Sequence, residues 1–169
     1  AVGSALDTIK AADTILDAFR DAAIYATLAI ALVLMAVLRR WRDTCLVLVT
    51  LLMSALLTAL LARSLGMSIN FANIIALPLL LGVGVSFNVY FVMNWRSGMR
   101  QFLGSPTARA ILFSALTTGT AFGSLAIARH PGTASMGTLL LLSLIAVLLS
   151  TFLFLPSLLY TISRPISKS

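Results

Sequence analysis

Residues 81–96 read LGVGVSFNVYFVMNWR, and they end a run that begins near Phe71 and carries no charge before Arg96. A helix of about 20 apolar residues is long enough to cross the hydrocarbon core of a bilayer. The run therefore predicts a membrane-spanning helix. Its second half nevertheless carries three hydrogen-bonding side chains within five residues, at Ser86, Asn88 and Tyr90. Polar groups are rare inside a span, so these three need either a packing role or a functional one.

The whole chain has the composition of an integral membrane protein. Of its 169 residues, 60% are hydrophobic and 10% are charged, and the mean hydropathy is +1.04. Soluble domains are about one quarter charged, and a soluble fold of this length could not bury so much apolar surface. The predicted fold class is therefore all-α, a polytopic bundle of transmembrane helices.

Five apolar runs follow an amphipathic segment. Over 1–21, apolar residues recur at helical spacing while aspartates occupy another side, which predicts an amphipathic leading helix in the periplasm or at the membrane interface. The row of Asp13, Asp17 and Asp21 has no histidine beside it, so a solvated face is favoured over a metal site. A five-span membrane domain is predicted over 22–161, with a cytoplasmic tail over 162–169. The predicted spans lie near 22–38, 44–62, 71–95, 106–128 and 134–160, and Pro106 suits a first helical turn.

Basic residues accumulate in alternate loops, which predicts the orientation of the chain. The first and third loops and the C-terminus hold eight basic residues and one acid, Asp43, while the other side holds four of each sign. The eight are Arg39, Arg40, Arg42, Arg96, Arg100, Arg109, Arg164 and Lys168. Because positive loops stay in the cytoplasm, the C-terminus is predicted to be cytoplasmic and the N-terminus periplasmic. A short external N-terminus is hard to translocate alone, so we expect this chain to be the C-terminal membrane portion of a larger protein.

Small and polar residues share faces of the third predicted span. Gly82, Ser86 and Tyr90 lie four residues apart, and Gly84 and Asn88 form a second row. Small residues at this spacing let neighbouring helices approach closely, so helix packing explains the rows without any further role.

The fourth predicted span reads SALTTGTAFGS over 114–124, with hydroxyls at Thr117 and Thr118. Its glycines, Gly119 and Gly123, are predicted to pack against neighbouring helices, as are Gly82 and Gly84. These hydroxyls could bond carbonyls of their own helix. Two neighbouring spans that both carry polar groups favour, alternatively, a hydrated seam with the hydroxyls directed toward the third span.

Apart from Cys45 at the edge of the second span, the predicted spans carry no group that titrates near neutral pH. All five acids lie outside them, and His130 lies in a turn. A charge at the bilayer centre costs about 2.5–3.5 kcal/mol on insertion scales, so it persists mainly for function. The chain alone is therefore not expected to move protons through a carboxylate relay. The sequence also predicts no enzymatic activity, no catalytic residues, no metal, no cofactor and no nucleic-acid partner.

The segments GVGVSFNVYFVMNWR (82–96) and SALTTGTAFGSLAIARHPGTASMG (114–137) resemble the tenth and eleventh spans of the resistance–nodulation–division (RND) transporters. Within that superfamily, LPLLLGVGVSFNVYFVMNWR and the HPGTASMG turn are most similar to the hopanoid transporters of the lipid-exporting branch. The resemblance implies spans eight to twelve of a twelve-span fold in a Gram-negative inner membrane. It also implies partners outside this sequence, namely an N-terminal transporter half and periplasmic porter domains, with membrane lipids as substrate and a possible homo-oligomer.

The resemblance further implies proton-coupled lipid export, with one departure in this chain. Ser86 stands where the branch often has an aspartate, which argues against direct protonation at that position. Ser86, Asn88, Tyr90 and Thr117 or Thr118 would then be relay or coupling partners for a carboxylate supplied by the other half. Two alternatives stay open: efflux of drugs or other hydrophobic small molecules by the same fold, and a non-transporting scaffold that senses lipid or sterol.

Overall fold

The structure, a computed structural model, describes the backbone of residues 2–67, 71–98 and 104–163, and the side chains of most of these from residue 20 onward. All regular secondary structure in these ranges is helical, which confirms the all-α prediction. The helices are α1 (Val2–Leu38), α2 (Trp41–Ser64), α3 (Phe71–Arg96), α4 (Pro106–Ala126), α5 (Pro131–Leu149), a π-helical turn (Ser150–Phe154) and α6 (Leu155–Ser163).

Three helical stretches are long and apolar enough to cross a membrane, over 20–38, 41–64 and 131–161. The last of these is continuous through α5, the π-helical turn and α6. Between them lie α3, with 26 residues, and α4, with 21. Helices of these lengths extend about 39 Å and 32 Å at 1.5 Å per residue, so either one could cross the hydrocarbon core.

One continuous helix, α1, covers both the predicted leading segment 1–21 and the first predicted span. No break in the helix marks residue 21. The helix ends at Leu38 because Arg39 adopts a left-handed backbone conformation, with φ of 52°. Of the predicted tail 162–169, residues 164–169 lie outside the described residues.

The helix starts differ from the predicted ones by three residues in two places. α2 begins at Trp41 rather than near 44, so Asp43 lies in its first helical turn and not in a loop. An acidic side chain is favourable there because the helix dipole is positive at its N-terminus. α5 begins at Pro131, and α4 begins at Pro106 as predicted, because proline suits a first helical turn. Ser105 caps α4 by accepting a hydrogen bond from the Ala108 amide at 3.1 Å.

The last transmembrane stretch lies at the centre of the bundle. α5 packs against α2, α3 and α4, while α1 packs against α2 and α3. The interior is formed by apolar side chains that are at most 1% exposed, among them Val47, Phe91, Val92, Val147 and Leu155. The bundle therefore presents α4 and much of α1 on its outside, and it places the buried polar residues where α2, α3 and the last stretch meet.

Candidate functional site

Hydroxyl groups line the buried face of α2. Thr50, Ser54 and Thr58 lie four residues apart, and each is at most 4% exposed. Each hydroxyl donates to a carbonyl of its own helix at 2.7–2.9 Å, so this face is polar but internally satisfied. These three residues were not predicted to be buried, although their four-residue spacing inside an apolar run was a usable signal.

Asn88 is the polar centre of the interior. It is 1% exposed, and its Nδ2 donates to the Gly84 carbonyl one turn earlier at 3.0 Å. Its Oδ1 accepts a hydrogen bond from Thr151 Oγ1, also at 3.0 Å. Thr151 is fully buried and lies 63 residues further along the chain. This buried side-chain bond ties α3 to the last transmembrane stretch.

The Thr151 end of this bond lies in the π-helical turn. There the Leu155 amide donates to the Ser150 carbonyl, five residues back, instead of the usual four. Single π-helical turns occur often at functional sites. Ser150 is also fully buried, and its hydroxyl has no hydrogen-bond partner in the structure. A buried hydroxyl without a hydrogen bond is destabilising, so this turn is expected to be less stable than the hydrogen-bonded core around it.

Ser86 and Tyr90 lie on a different face of α3 from Asn88. Tyr90 is 58% exposed, and Ser86 is exposed with its hydroxyl donating to the Gly82 carbonyl at 3.2 Å. Helical geometry explains the separation, since positions 86 and 90 share a face and position 88 lies about 200° away from 86. Of Ser86, Asn88 and Tyr90, only Asn88 therefore lies in the interior, and the other two lie on the outer surface.

The α4 hydroxyl residues are also mostly on the outside. Thr117 is exposed and donates to the Phe113 carbonyl at 2.9 Å, and Thr118 is half-buried. The side of α4 that is buried carries Ala108, Ile111 and Ala115 instead. The row of hydroxyls expected to face α3 is therefore mostly exposed, with Ser114, Thr117 and Thr120 on the outside and Thr118 half-buried.

The four glycines predicted to pack helices have different surroundings. A Cβ added at Gly84 would lie 2.7 Å from a side-chain methyl of Leu51 and 3.3 Å from one of Val147, so α2 and α5 both approach α3 there. A Cβ at Gly119 would meet Leu144 at 3.4 Å, whereas Gly82 and Gly123 face open space. Among the described glycines, the closest approach occurs at Gly137, where α5 lies directly against the α4 backbone, and this contact was not predicted from the sequence.

Residues from three predicted cytoplasmic segments meet at one end of the bundle. Arg96 Nη1 donates to the Leu38 carbonyl at the end of α1 at 2.8 Å and lies 3.5 Å from the Asp43 carboxylate. The rings of Trp95 and Tyr160 contact edge to face with centroids 5.2 Å apart. The contacts thus bring together segments that the charge pattern assigns to the same side of the membrane.

The chemistry available in the interior is hydrogen bonding by neutral groups. Among the described residues, the fully buried polar side chains are hydroxyls and one amide, without a carboxylate. The described part of the chain also holds no group of three histidine, cysteine or acidic side chains close enough for a metal ion. Such an interior can hold helices in register or accept a proton-carrying group from elsewhere, but it supplies no such group itself.

Comparison with known proteins shows the family of this chain. The model of the MMPL family matches residues 3–168. The chain belongs to the MMPL family. It is 50% identical over 156 residues to the hopanoid transporter HpnN of Burkholderia multivorans (strain ATCC 17616 / 249), and 50% identical over 158 residues to the hopanoid transporter HpnN of Rhodopseudomonas palustris (strain TIE-1). These matches cover 92% and 94% of this chain.

The chain spans 18% of the length of each of these two relatives. The matches confirm the resemblance to the RND transporters and their hopanoid branch. Both relatives are several times longer than this chain, and it matches one region of each.

Proposed function

We propose that this chain is the C-terminal membrane portion of a proton-driven exporter, corresponding to spans eight to twelve, that moves hopanoid-like lipids from the inner membrane toward the outer membrane. The observation that carries the proposal is the 50% identity, over nearly the whole chain, to two proteins named as hopanoid transporters. The portion acts without catalysis, and its charge pattern favours a periplasmic N-terminus and a cytoplasmic C-terminus.

In this proposal, the proton-carrying acid belongs to the part of the transporter outside this chain. The exposed polar face of α3 and α4 supplies its hydrogen-bonding partners, namely Ser86, Tyr90, Thr117 and Thr118. Support comes from their position, since three of the four are exposed on the bundle surface and their hydroxyls make at most local bonds. A proton crossing 100 mV delivers about 2.3 kcal/mol, enough to exchange one such bond for another.

Asn88 has an indirect part in the proposed coupling. Its amide is buried and bonded within the chain, so a carboxylate from outside could not reach it without opening the bundle. We assign it the role of holding α3 against the π-helical turn. A movement of α3 driven from the exposed face would then be transmitted to the last transmembrane stretch through the bond to Thr151.

Lipid export is tested by deleting the complete gene in its host and measuring hopanoids in separated inner and outer membranes by mass spectrometry. We expect hopanoids to accumulate in the inner membrane and to fall in the outer membrane. An unchanged distribution would refute lipid export and favour drug efflux or a lipid-sensing scaffold. Proton coupling is tested with the complete transporter in vesicles, where transport should follow an imposed pH gradient.

The role of the exposed face is tested by complementing the deletion strain with Ser86→Ala or Thr117→Val. Losing a hydrogen bond to a charged group costs about 1.5–3 kcal/mol, so transport should fall roughly tenfold or more. Ser157→Ala and Thr27→Val are matched controls, because both hydroxyls are exposed and donate to their own helix four residues back. Equal transport by the tested variants and the controls would refute a coupling role for Ser86 and Thr117 and would leave helix packing as their role.

A further inference from the structure

A recess of about 680 Å³ opens at the end of the bundle, between the start of α2, the end of α3 and Leu159 of α6. Three arginines line it, Arg40, Arg42 and Arg96, together with the rings of Trp41 and Trp95. One acidic residue, Asp43, shares the recess. The local charge is therefore positive, with three guanidinium groups against one carboxylate.

The three arginines have different roles. Arg96 is engaged by the protein, since it bonds the Leu38 carbonyl and offsets the half-buried Asp43. The described ion pairs involve Arg20 and Arg96, and neither Arg40 nor Arg42 has an acidic partner among them. Arg42 instead lies over the Trp41 ring, with its guanidinium carbon 5.9 Å from the ring centre. Two positive charges are thus left for an external anion.

The N-terminus of α2 adds to the attraction for an anion. Its N-cap residue, Arg40, is extended and provides no side-chain cap. The first amide groups of a helix have no partner within the helix, and the helix dipole makes this end positive. The first turn of α2 lines the recess together with the two arginines that have no acidic partner, and a helix N-terminus beside guanidinium groups suits phosphate oxygens.

The residues beside the recess are of the types found at the level of the lipid headgroups. Trp41 is 64% exposed beside it, and tryptophan concentrates at the level of lipid headgroups. The adjoining surfaces of α1 and α2 expose Val37 and Val49, which suit contact with acyl chains. A soluble anion would use the charge but not this apolar margin.

We propose that this recess binds the phosphate headgroup of an anionic phospholipid, with Arg40, Arg42 and the α2 amide groups as its ligands and Trp41 at its rim. Binding would fix the α1–α2 corner to one leaflet and hold the bundle at a constant depth. The inference concerns a bound membrane lipid and not the transported cargo, so it is independent of the proposed export function.

Native mass spectrometry of the complete transporter tests this, with titration by dioleoylphosphatidylglycerol and by dioleoylphosphatidylcholine. We expect the wild-type protein to retain phosphatidylglycerol preferentially. The Arg40→Gln/Arg42→Gln variant should weaken that retention by roughly fivefold for each arginine removed. The control is Arg63→Gln/Arg129→Gln, which removes the same charge from two exposed arginines near the opposite end of the bundle. The Arg40→Lys/Arg42→Lys variant keeps the charge and should retain most of the preference.

Three outcomes would overturn the inference. The first is equal retention of the two lipids by the wild-type protein. The second is an equal loss in the Arg40/Arg42 glutamine variant and in its control, which would mean that only total charge matters. The third is displacement of phosphatidylglycerol by excess inorganic phosphate, because the recess would then recognise a free anion without the lipid.

Discussion

Replacing Thr151 by valine removes a buried side-chain hydrogen bond that joins α3 to the π-helical turn. Valine keeps the shape of threonine, so packing in the fully buried position changes little. The substitution removes the hydroxyl that donates to Asn88 Oδ1 at 3.0 Å. Asn88 is 1% exposed, so water cannot replace the lost donor, while its Nδ2 keeps its bond to the Gly84 carbonyl. Half of the buried amide is left unsatisfied.

The size of the effect follows from two limits. A buried acceptor without its partner costs about 1–3 kcal/mol, whereas hydrogen bonds between membrane helices contribute about 0.6 kcal/mol on average and at most about 1.7. We therefore expect Thr151→Val to lower the free energy of unfolding by about 1–2 kcal/mol. The Asn88→Leu/Thr151→Val double variant should lose less than the sum of the single variants, because it leaves no orphaned acceptor.

The measurement is unfolding of the complete transporter in mixed micelles with increasing detergent denaturant, followed by circular dichroism. Thr58→Val is the matched control, since Thr58 is buried but donates only to its own helix, at 2.7 Å. We expect the control to change stability by less than about 0.5 kcal/mol. The reasoning fails if Thr151→Val costs no more than Thr58→Val, or if the effects of the Asn88 and Thr151 substitutions simply add.

Two substitutions test the close approaches between helices. Gly137→Ala should destabilise the protein by about 1–3 kcal/mol, because the added methyl group meets α4 backbone that cannot move aside. Gly123→Ala faces open space and should be neutral or slightly stabilising, since alanine is favoured in helices. Gly84→Ala should cost about 1 kcal/mol, because it meets the end of a flexible leucine side chain, and Gly82→Ala is its control. Thermal unfolding measures both pairs, and equal values within a pair would contradict the packing described.

The helices could be predicted from the sequence because their cause is local. Long uncharged runs separated by short basic or proline-containing turns leave few alternatives to a helical bundle. The pairing of helices is not local in this way. Both sides of α3 carry small or polar residues, so hydropathy gives no preferred buried face, and only the packed structure shows Asn88 inside and Ser86 outside.

The polar interior was only partly predictable for the same reason. Asn88 stood out as an amide in an apolar run, but its partner Thr151 looked like one of many hydroxyl residues in the last span. Thr50, Ser54 and Thr58 have a regular four-residue spacing, but the sequence does not show that this side of α2 is buried. Burial of a hydroxyl residue depends on which helices are neighbours, and that information comes from contacts far apart in the chain.

The π-helical turn explains how the last transmembrane stretch stays buried along one face. Val147 and Leu159 are both buried and lie 12 residues apart. In a regular α-helix, 12 residues turn about 1200°, which would place Leu159 about 120° away from Val147. The π-helical turn accommodates one additional residue, so the rotation is nearer 1100° and the two side chains differ by only about 20°. The buried residues at positions 147, 151, 155 and 159 are four residues apart, and the additional residue in the π-helical turn keeps them on one face.

The same geometry predicts the effect of single-residue deletions. Deleting Leu153, an exposed residue of the π-helical turn, should convert the turn to regular α-helix and keep the downstream buried face in register. Deleting Ile145, also exposed but within regular α5, should rotate every later residue by about 100° and direct Leu155 and Leu159 away from the core. Expression and thermal unfolding of the complete transporter should therefore show a folded Leu153 deletion and a misfolded Ile145 deletion. If both deletions fold equally well, or if only the Ile145 deletion folds, the π-helical turn does not set the register of the last stretch.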